Sequence, residues 1–329
     1  MTEIDILCNV EANIKVDGVE LEMVYSALSD NANTISQFTR RKDIKITTGG
    51  TSTPANYQIK VTIAYEPGMQ SLFQDIRFNT RAGVYIDYWI ESKTASTTAD
   101  VWLELPDAIT DGNSDTIWMY YGNAGLSDGG VGADTFIAFD DFSTDTSADY
   151  TEKYYATWYP MTYKTVSAGE FHLGFNAAEY GSAVVYGNQV ITAGSYILRS
   201  KFRAVGYEDD IPYDRYQSEI GLTTGAVTPT NYGSCSVAAD YTGWASSIQI
   251  PMPDYRGQST ELSGNTISEV TYTLDGSNYY IGFFVQDISS TVPSSELWID
   301  FALVRKYIAN EPTASVGTAQ HQRRVPQFM

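Results

Sequence analysis

The sequence predicts an all-β protein: two tandem antiparallel β-sandwich domains, jelly-roll-like, behind a short N-terminal segment. Three observations lead there. Short runs alternate apolar and polar side chains, the period of a half-buried strand. Polar breaks rich in Gly, Asp and Ser separate these runs at short intervals. No apolar pattern of helical period and ordinary helix length occurs anywhere in the 329 residues, and many short strands between turns form sandwiches.

The alternation is clearest between Asp75 and Asn123. Val84, Ile86, Tyr88 and Ile90 share one face there, opposite Tyr85, Asp87, Trp89 and Glu91. Val101, Leu103 and Leu105 oppose Trp102 and Glu104. Ile117, Met119 and Tyr121 oppose Trp118 and Tyr120. Each strand buries one face and offers aromatics or acids on the other.

Residues 1–39 precede this region. Their apolar spacing reads as a hairpin turning at Asp17-Gly18, followed by a polar stretch over 26–39. An attachment or assembly segment and an extra edge hairpin of the first sandwich are both open. The first sandwich spans 40–134. Within it TGGTSTP at 48–54 is a turn-rich loop. Tyr57, Ile59, Val61, Ile63 and Tyr65 face inward, with Gln58, Lys60 and Thr62 outward. The Gly/Asp-rich stretch GLSDGGVGADTF connects to a second sandwich over 135–310.

Strands are expected there at 170–175, 182–187, 195–205, 217–223, 234–240, 268–274, 279–286 and 296–306. In the third of these, Tyr196, Leu198, Phe202 and Ala204 oppose Arg199, Lys201 and Arg203. A slip of one residue would bury three cations, so the register is fixed. Asp275-Gly276 reads as a type I′ hairpin turn. Residues 311–329 read as a polar tail that leaves the sheet and needs a surface to pack on, as in an oligomer or larger assembly.

The segments Asp75-Ile76-Arg77-Phe78, Tyr88-Trp89-Ile90-Glu91-Ser92, Val101-Trp102 and Tyr120-Tyr121-Gly122-Asn123 resemble the DUF2341 family, over roughly Arg40 to Phe136. That family is a β-rich module of prokaryotic, often archaeal, surface proteins, frequently followed by a concanavalin A-like or laminin G-like sandwich. Asp140-Asp141-Phe142 and the closing run LWIDFALVRKY resemble the first and last strands of such a sandwich. The resemblance implies a fold and a surface setting. It brings no established activity.

Composition narrows the functions. The net charge is −20, with 20 Lys and Arg against 40 Asp and Glu. So few cations argue against nucleic-acid phosphates and against an anionic bilayer. No apolar run has the length of a membrane span. Cys8 and Cys235 are free buried thiols or a disulfide, and the sequence leaves both open. Two histidines, His172 and His321, leave little for His-based chemistry; His172 reads as an ordinary strand residue. The N-terminus has neither the basic start nor the apolar core of a signal peptide. Together with the surface-protein resemblance, this leads to the expectation of a virus particle, whose exterior proteins are released by lysis.

No nucleophile elbow, zincin helix, phosphate loop or zinc-type Cys pairing is present. The ExDxxE pattern of laminarinase-like concanavalin sandwiches is also missing, so the expectation is a protein that is not an enzyme. Trp89, Trp102, Trp118 and Tyr120, with Glu91 and Asn123 as hydrogen-bonding partners, are candidate glycan-binding residues; burial of both sheet faces is the competing reading. Glu208, Asp209, Asp210 and Asp214 put four carboxylates within seven residues. They are candidate hard-oxygen ligands for Ca²⁺, with a solvated acidic loop as the alternative.

The sequence thus leads to a structural and recognition protein of a virion exterior: a tail fibre, spike or head decoration for host attachment. It is expected to form a homo-oligomer, possibly a trimer, with other virion proteins and a cell-surface glycan as partners, and no membrane insertion. A cell-surface adhesin or sheath subunit and a carbohydrate-active enzyme are the alternatives.

Overall fold

The structure is a computed structural model. It describes residues 13–16, 19–22, 37–156, 161–175, 181–207, 217–224, 244–250, 259–261, 266–287 and 296–321. The protein is all-β, and every strand pairing among these residues is antiparallel. Two compact units emerge: Met1–Thr135 with Ala309–Met329, and Phe136–Ile308.

The first unit begins with β1 (Asn13–Val16) and β2 (Val19–Glu22), a hairpin. The expected turn residues Asp17 and Gly18 lie outside the described residues. There follow β3 (Arg40–Thr47), β4 (Tyr57–Ala64), β5 (Arg77–Thr80), β6 (Tyr85–Ile86), β7 (Tyr88–Thr94), β8 (Thr98–Leu105), β9 (Ser114–Tyr121) and the short helix α1 (Gly132–Thr135). The second unit comprises β10 (Ala138–Asp140), β11 (Thr151–Ala156), β12 (Tyr163–Ser167), β13 (Glu170–Gly174), β14 (Gly181–Tyr186), β15 (Gly194–Tyr207), β16 (Gln217–Thr223), β17 (Trp244–Ile250), β18 (Ser259–Glu261), β19 (Thr266–Leu274), β20 (Tyr280–Asp287) and β21 (Glu296–Lys306). The chain then adds β22 (Thr313–Val316) and β23 (Gln320–His321) to the first unit.

A six-stranded sheet, β22-β3-β9-β5-β6 with β23 also on β3, and a three-stranded sheet, β4-β8-β7, make the first unit. Ile44, Phe78, Ile117, Met119 and Tyr121 of one sheet and Tyr57, Val61, Tyr88, Val101 and Leu103 of the other are buried. Phe78 and Tyr88 meet edge to face, ring centroids 5.1 Å apart, and so join the two layers.

The expected tail is corrected here. Residues 313–316 and 320–321 pair with β3 rather than leaving the sheet. Their side chains are too polar to signal a strand; backbone hydrogen bonds to an open edge hold them.

Three further readings are corrected. Val84 is exposed while Trp89 is buried, because β6 and β7 belong to different sheets and the chain crosses between them at Asp87. A bulge between Ile90 and Ser92 shifts the register again. Gln58, expected outward, is fully buried and donates to the Asn56 carbonyl. Asp275-Gly276 is not a hairpin turn, since β19 and β20 lie in different sheets. Asp275 Oδ1 instead accepts the Ser277 N–H at 2.8 Å, a side-chain-closed turn at a sheet crossing.

The second unit stacks a seven-stranded sheet, β12-β13-β21-β15-β18 with β10 on β21 and β19 on β15, on a five-stranded sheet, β11-β14-β20-β16-β17. Its core interleaves Phe171, Leu198, Phe202 and Ile299 from the first with Val185, Ile220, Leu222 and Phe283 from the second. Burying a side chain of that size contributes roughly 1.5–3 kcal/mol. The alternation predicted for β15 holds, and its cations are each paired: Arg199 with Glu269, Lys201 with Asp300, Arg203 with Glu170. Residues 234–240, expected as a strand, lie outside the described residues, as do Cys8 and Cys235.

Candidate functional site

The residues that carry the family resemblance form a buried lock at one end of the first unit. Asp75 is fully buried. Its Oδ1 accepts the Gln70 N–H at 2.9 Å, and its Oδ2 accepts those of Gly122 at 2.7 Å and Asn123 at 3.1 Å. One carboxylate thereby satisfies backbone donors where β9 runs out of sheet partners. Gly122 has φ +88°. The hydroxyl of Thr39, which donates to the Gly122 carbonyl, fills the space a Cβ would need.

Arg77, also buried, ties the following loop to the sheet. Its Nη1 donates to the Gln74 and Ile76 carbonyls and to the Tyr88 hydroxyl, and its Nη2 to the Ser127 carbonyl. The Tyr88 hydroxyl donates to the Ile76 carbonyl and accepts the Gly129 N–H. Burial raises the Tyr88 pKa against the pull of Arg77, so the phenol stays protonated and able to donate. A Cβ on Gly129 would lie 2.5 Å from Arg77 Cζ. Asn123, a candidate ligand residue, serves this corner: its Oδ1 accepts the Gly125 N–H, and its Nδ2 faces Gln37 Oε1 at 3.4 Å.

The four candidate aromatics do not share one platform. Trp89 and Trp102 are cross-strand partners on the outer face of the three-stranded sheet, 9% and 4% exposed. Trp102 Nε1–H donates to Glu91 Oε2 at 2.6 Å, and Lys60 Nζ lies 3.2 Å from the same oxygen. Helix α1 packs against β7 and β8 on this unit, and the Val131 N–H donates to the Tyr88 carbonyl. These rings and Glu91 are committed to packing.

Trp118 and Tyr120 stand on the outer face of the six-stranded sheet. Trp118 is half-buried, Tyr120 buried. The register sets Asp43 and Asn79 beside Trp118, and Arg41 and Arg77 beside Tyr120. Arg41 lays its guanidinium over the Trp118 ring, Cζ 4.2 Å from the centroid, and its Nε donates to Gln320 Oε1 at 3.3 Å. Arg81 Cζ lies 5.9 Å from the same ring. Lys45 shares the face, two residues beyond Asp43. Arg81 and Lys45 are exposed and Arg41 half-buried. Among the described residues none of these three cations has a carboxylate within 4.0 Å.

Sequence reasoning missed these cations as site residues. The period-two spacing of Arg41, Asp43 and Lys45 was the available signal. The candidate calcium ligands Glu208, Asp209, Asp210 and Asp214 lie outside the described residues.

The second unit carries a feature with no local sequence signal. Tyr163, His172, Trp298 and Arg203, from the adjacent strands β12, β13, β21 and β15, stack into a ladder across the outer face of the seven-stranded sheet. Tyr163 and His172 are 4.5 Å apart at 18°, and His172 and Trp298 4.6 Å apart at 8°. Arg203 Cζ lies 3.9 Å from the Trp298 centroid. Glu170 accepts both Arg203 Nε and Nη2, and Glu296 Oε2 lies 2.7 Å from His172 Nε2. The rings occupy one another's faces, so the ladder braces four strands.

Burial lowers the His172 pKa, with Glu296 opposing and Arg203 adding to the decrease. A depressed histidine stabilises the fold fully above its unfolded value of about 6.5 and loses that contribution as pH falls through the folded value. The melting temperature of the wild type is therefore expected to fall more than that of His172→Gln between about pH 7.5 and pH 5. Parallel curves would remove His172 from the account of acid sensitivity.

Among families, the description that matches is a domain of unknown function, DUF2341, over residues 72–160. That span holds Asp75, Arg77, Tyr88, Gly122 and Gly129, while Thr39 and Gln70, which complete the lock, lie before it. It begins later and ends later than the resemblance read from the motifs. No curated protein matches the chain. Among solved structures, TmCBM61 in complex with β-1,4-galactotriose is 11% identical over 54% of this chain and 94% of that one, TM-score 0.24. The Lotus tetragonolobus seed lectin is 9% identical over 56% and 98%, TM-score 0.29. The tandem CBM22 domains of Paenibacillus barcinonensis Xyn10C are 9% identical over 82% and 79%, TM-score 0.26. Likeness at this level decides nothing about function.

Proposed function

We propose that this protein is a non-enzymatic recognition protein on the exterior of a virus particle, as a tail fibre, spike or head decoration, and that it binds a glycan of the host surface. One observation carries the reading. The outer face of the six-stranded sheet gathers Trp118, Tyr120 and the cations Arg41, Lys45 and Arg81, none of which has a described carboxylate within 4.0 Å. A face built this way presents fixed hydrogen-bond donors to an external ligand.

Among the described residues, five carboxylates that could have served catalysis are used in the fold. Asp75 holds three backbone amides, Glu91 the Trp102 indole and Lys60, Glu170 the Arg203 fork, and Glu296 the His172 ring. Asp140 accepts the Phe142 N–H and the Thr146 and Tyr150 hydroxyls. The surface-protein resemblance and the net charge of −20, which keeps crowded proteins apart, support the exterior placement. A homo-oligomer, three copies in a fibre or spike, would raise the avidity of a weak site.

The pure full-length chain is expected to bind polysaccharides from a panel of bacterial and archaeal envelopes saturably, without shortening them. An antibody to it is expected to label the outside of intact particles. Shortened chains would make it an enzyme. Label on cells but not on particles would move it to the cell surface.

A further inference from the structure

We propose that the ligand of this face is anionic: a sugar carboxylate or sulfate held between the guanidinium groups of Arg41 and Arg81. The proposal rests on the recognition reading above and narrows it to a substrate class.

Charge accounting is the first support. Acidic residues outnumber basic ones 40 to 20, so an average cation has acids to spare around it. The chain uses them: Lys60 lies between Glu91 and Asp100, Lys93 meets Asp128, and Arg199 and Lys201 meet Glu269 and Asp300. Arg40, Arg41, Lys45, Arg77 and Arg81 stand outside these pairs; Arg40 and Arg77 have other partners, His321 and backbone carbonyls with Tyr88, whereas Arg41, Lys45 and Arg81 gather on one face of one sheet. Asp43, the acid on this face, sits across from Trp118, and its carboxylate lies where a Cβ on Gly317 would have to go.

Geometry is the second. Strands β3 and β5 flank β9 on opposite sides. Arg41 and Arg81 therefore approach Trp118 from opposite directions, with Cζ atoms 4.2 and 5.9 Å from its centroid. Arg41 is held in place by its stack on the indole and by the Nε bond to Gln320. A held guanidinium loses little freedom on binding, and its fork of donors matches a carboxylate or sulfate. The stack also decides against a neutral sugar. The indole face that a pyranose would use already carries Arg41, so recognition falls to N–H donors.

The test uses matched polymers and the full-length chain. Polygalacturonate is compared with its methyl ester, and dextran sulfate with dextran, by calorimetry at low and high NaCl. The expected result is binding of one or both charged polymers at least about tenfold tighter than the neutral counterpart, weakening with salt. The charged pair that binds names the carboxylate or the sulfate as the group recognised. Arg81→Gln and Arg41→Gln are each expected to weaken it about tenfold or more, and Lys93→Gln to leave it unchanged. Arg81 is exposed, so its variant keeps the fold even if Arg41→Gln loosens Trp118.

Equal binding of the charged and neutral polymers, or an unaffected Arg81→Gln, would overturn the anion assignment and leave glycan recognition standing. Equal binding of a DNA oligomer would overturn the sugar. Binding of none of the four polymers or of the envelope panel would overturn both readings.

Discussion

Replacing Asp75 by alanine is expected to cost the first unit roughly 3–5 kcal/mol, the largest loss of any single polar substitution in it. Three backbone N–H groups, of Gln70, Gly122 and Asn123, lose their acceptor at once. The side chain is fully buried, so water does not replace it without a rearrangement. Asp75→Asn keeps the shape but turns a donor toward at least one N–H, and is expected to recover only part of the loss. Urea unfolding of the two variants measures this. A cost under about 1 kcal/mol for Asp75→Ala would mean that the motif is kept for another reason.

Ending the chain at Ile308 is the second large effect. The truncation removes β22 and β23, and with them the partners of Ile44, Ile46, Thr47 and Arg41 on one edge of β3. Pro312 is buried in this segment, and a Cβ on Gly49 would lie 2.5 Å from the Glu311 carbonyl, so the return of the chain is closely packed. The expected loss is on the order of 3 kcal/mol, about 10 °C in Tm for a unit of this size. Self-association that grows with concentration is expected as well, because an unpaired strand edge templates pairing. Gln320 leaves with the truncated residues, so the stack of Arg41 on Trp118 loses its anchor too. A truncated chain with unchanged Tm and mass would make the returning strands ornamental.

Much of the fold was legible because a strand with one buried face must alternate. Tyr57 to Ile63, Val101 to Leu105, Ile117 to Tyr121 and Tyr196 to Ala204 all bury the face their pattern assigns. The pattern fails where the chain changes sheet, as at Asp87, because alternation is defined within one strand only. It fails at Gln58, whose outward side chain is covered. It is silent at Thr313–Val316, where strand formation depends on a vacant edge more than on side chains. Asp75 and Arg77 were visible as a pair on one face of an extended segment, but their burial was not. The ladder from Tyr163 to Arg203 was out of reach, since the sheet brings together residues as far apart as Tyr163 and Trp298. Trp118 was found, whereas Arg41, Lys45 and Arg81 look ordinary in sequence. What sets them apart is that they gather around Trp118 with no described carboxylate within 4.0 Å, although Asp43 shares the face.

The central claim is that recognition occurs on the outer face of the six-stranded sheet. Hydrogen–deuterium exchange of the full chain with and without the charged polymer that binds, polygalacturonate or dextran sulfate, locates the site directly. The account predicts slower exchange in peptides covering Arg41–Thr47, Asn79–Ile86 and Ser114–Tyr121. Protection confined to Tyr163–Gly174 and Glu296–Phe301, on the ladder of the second unit, would contradict it.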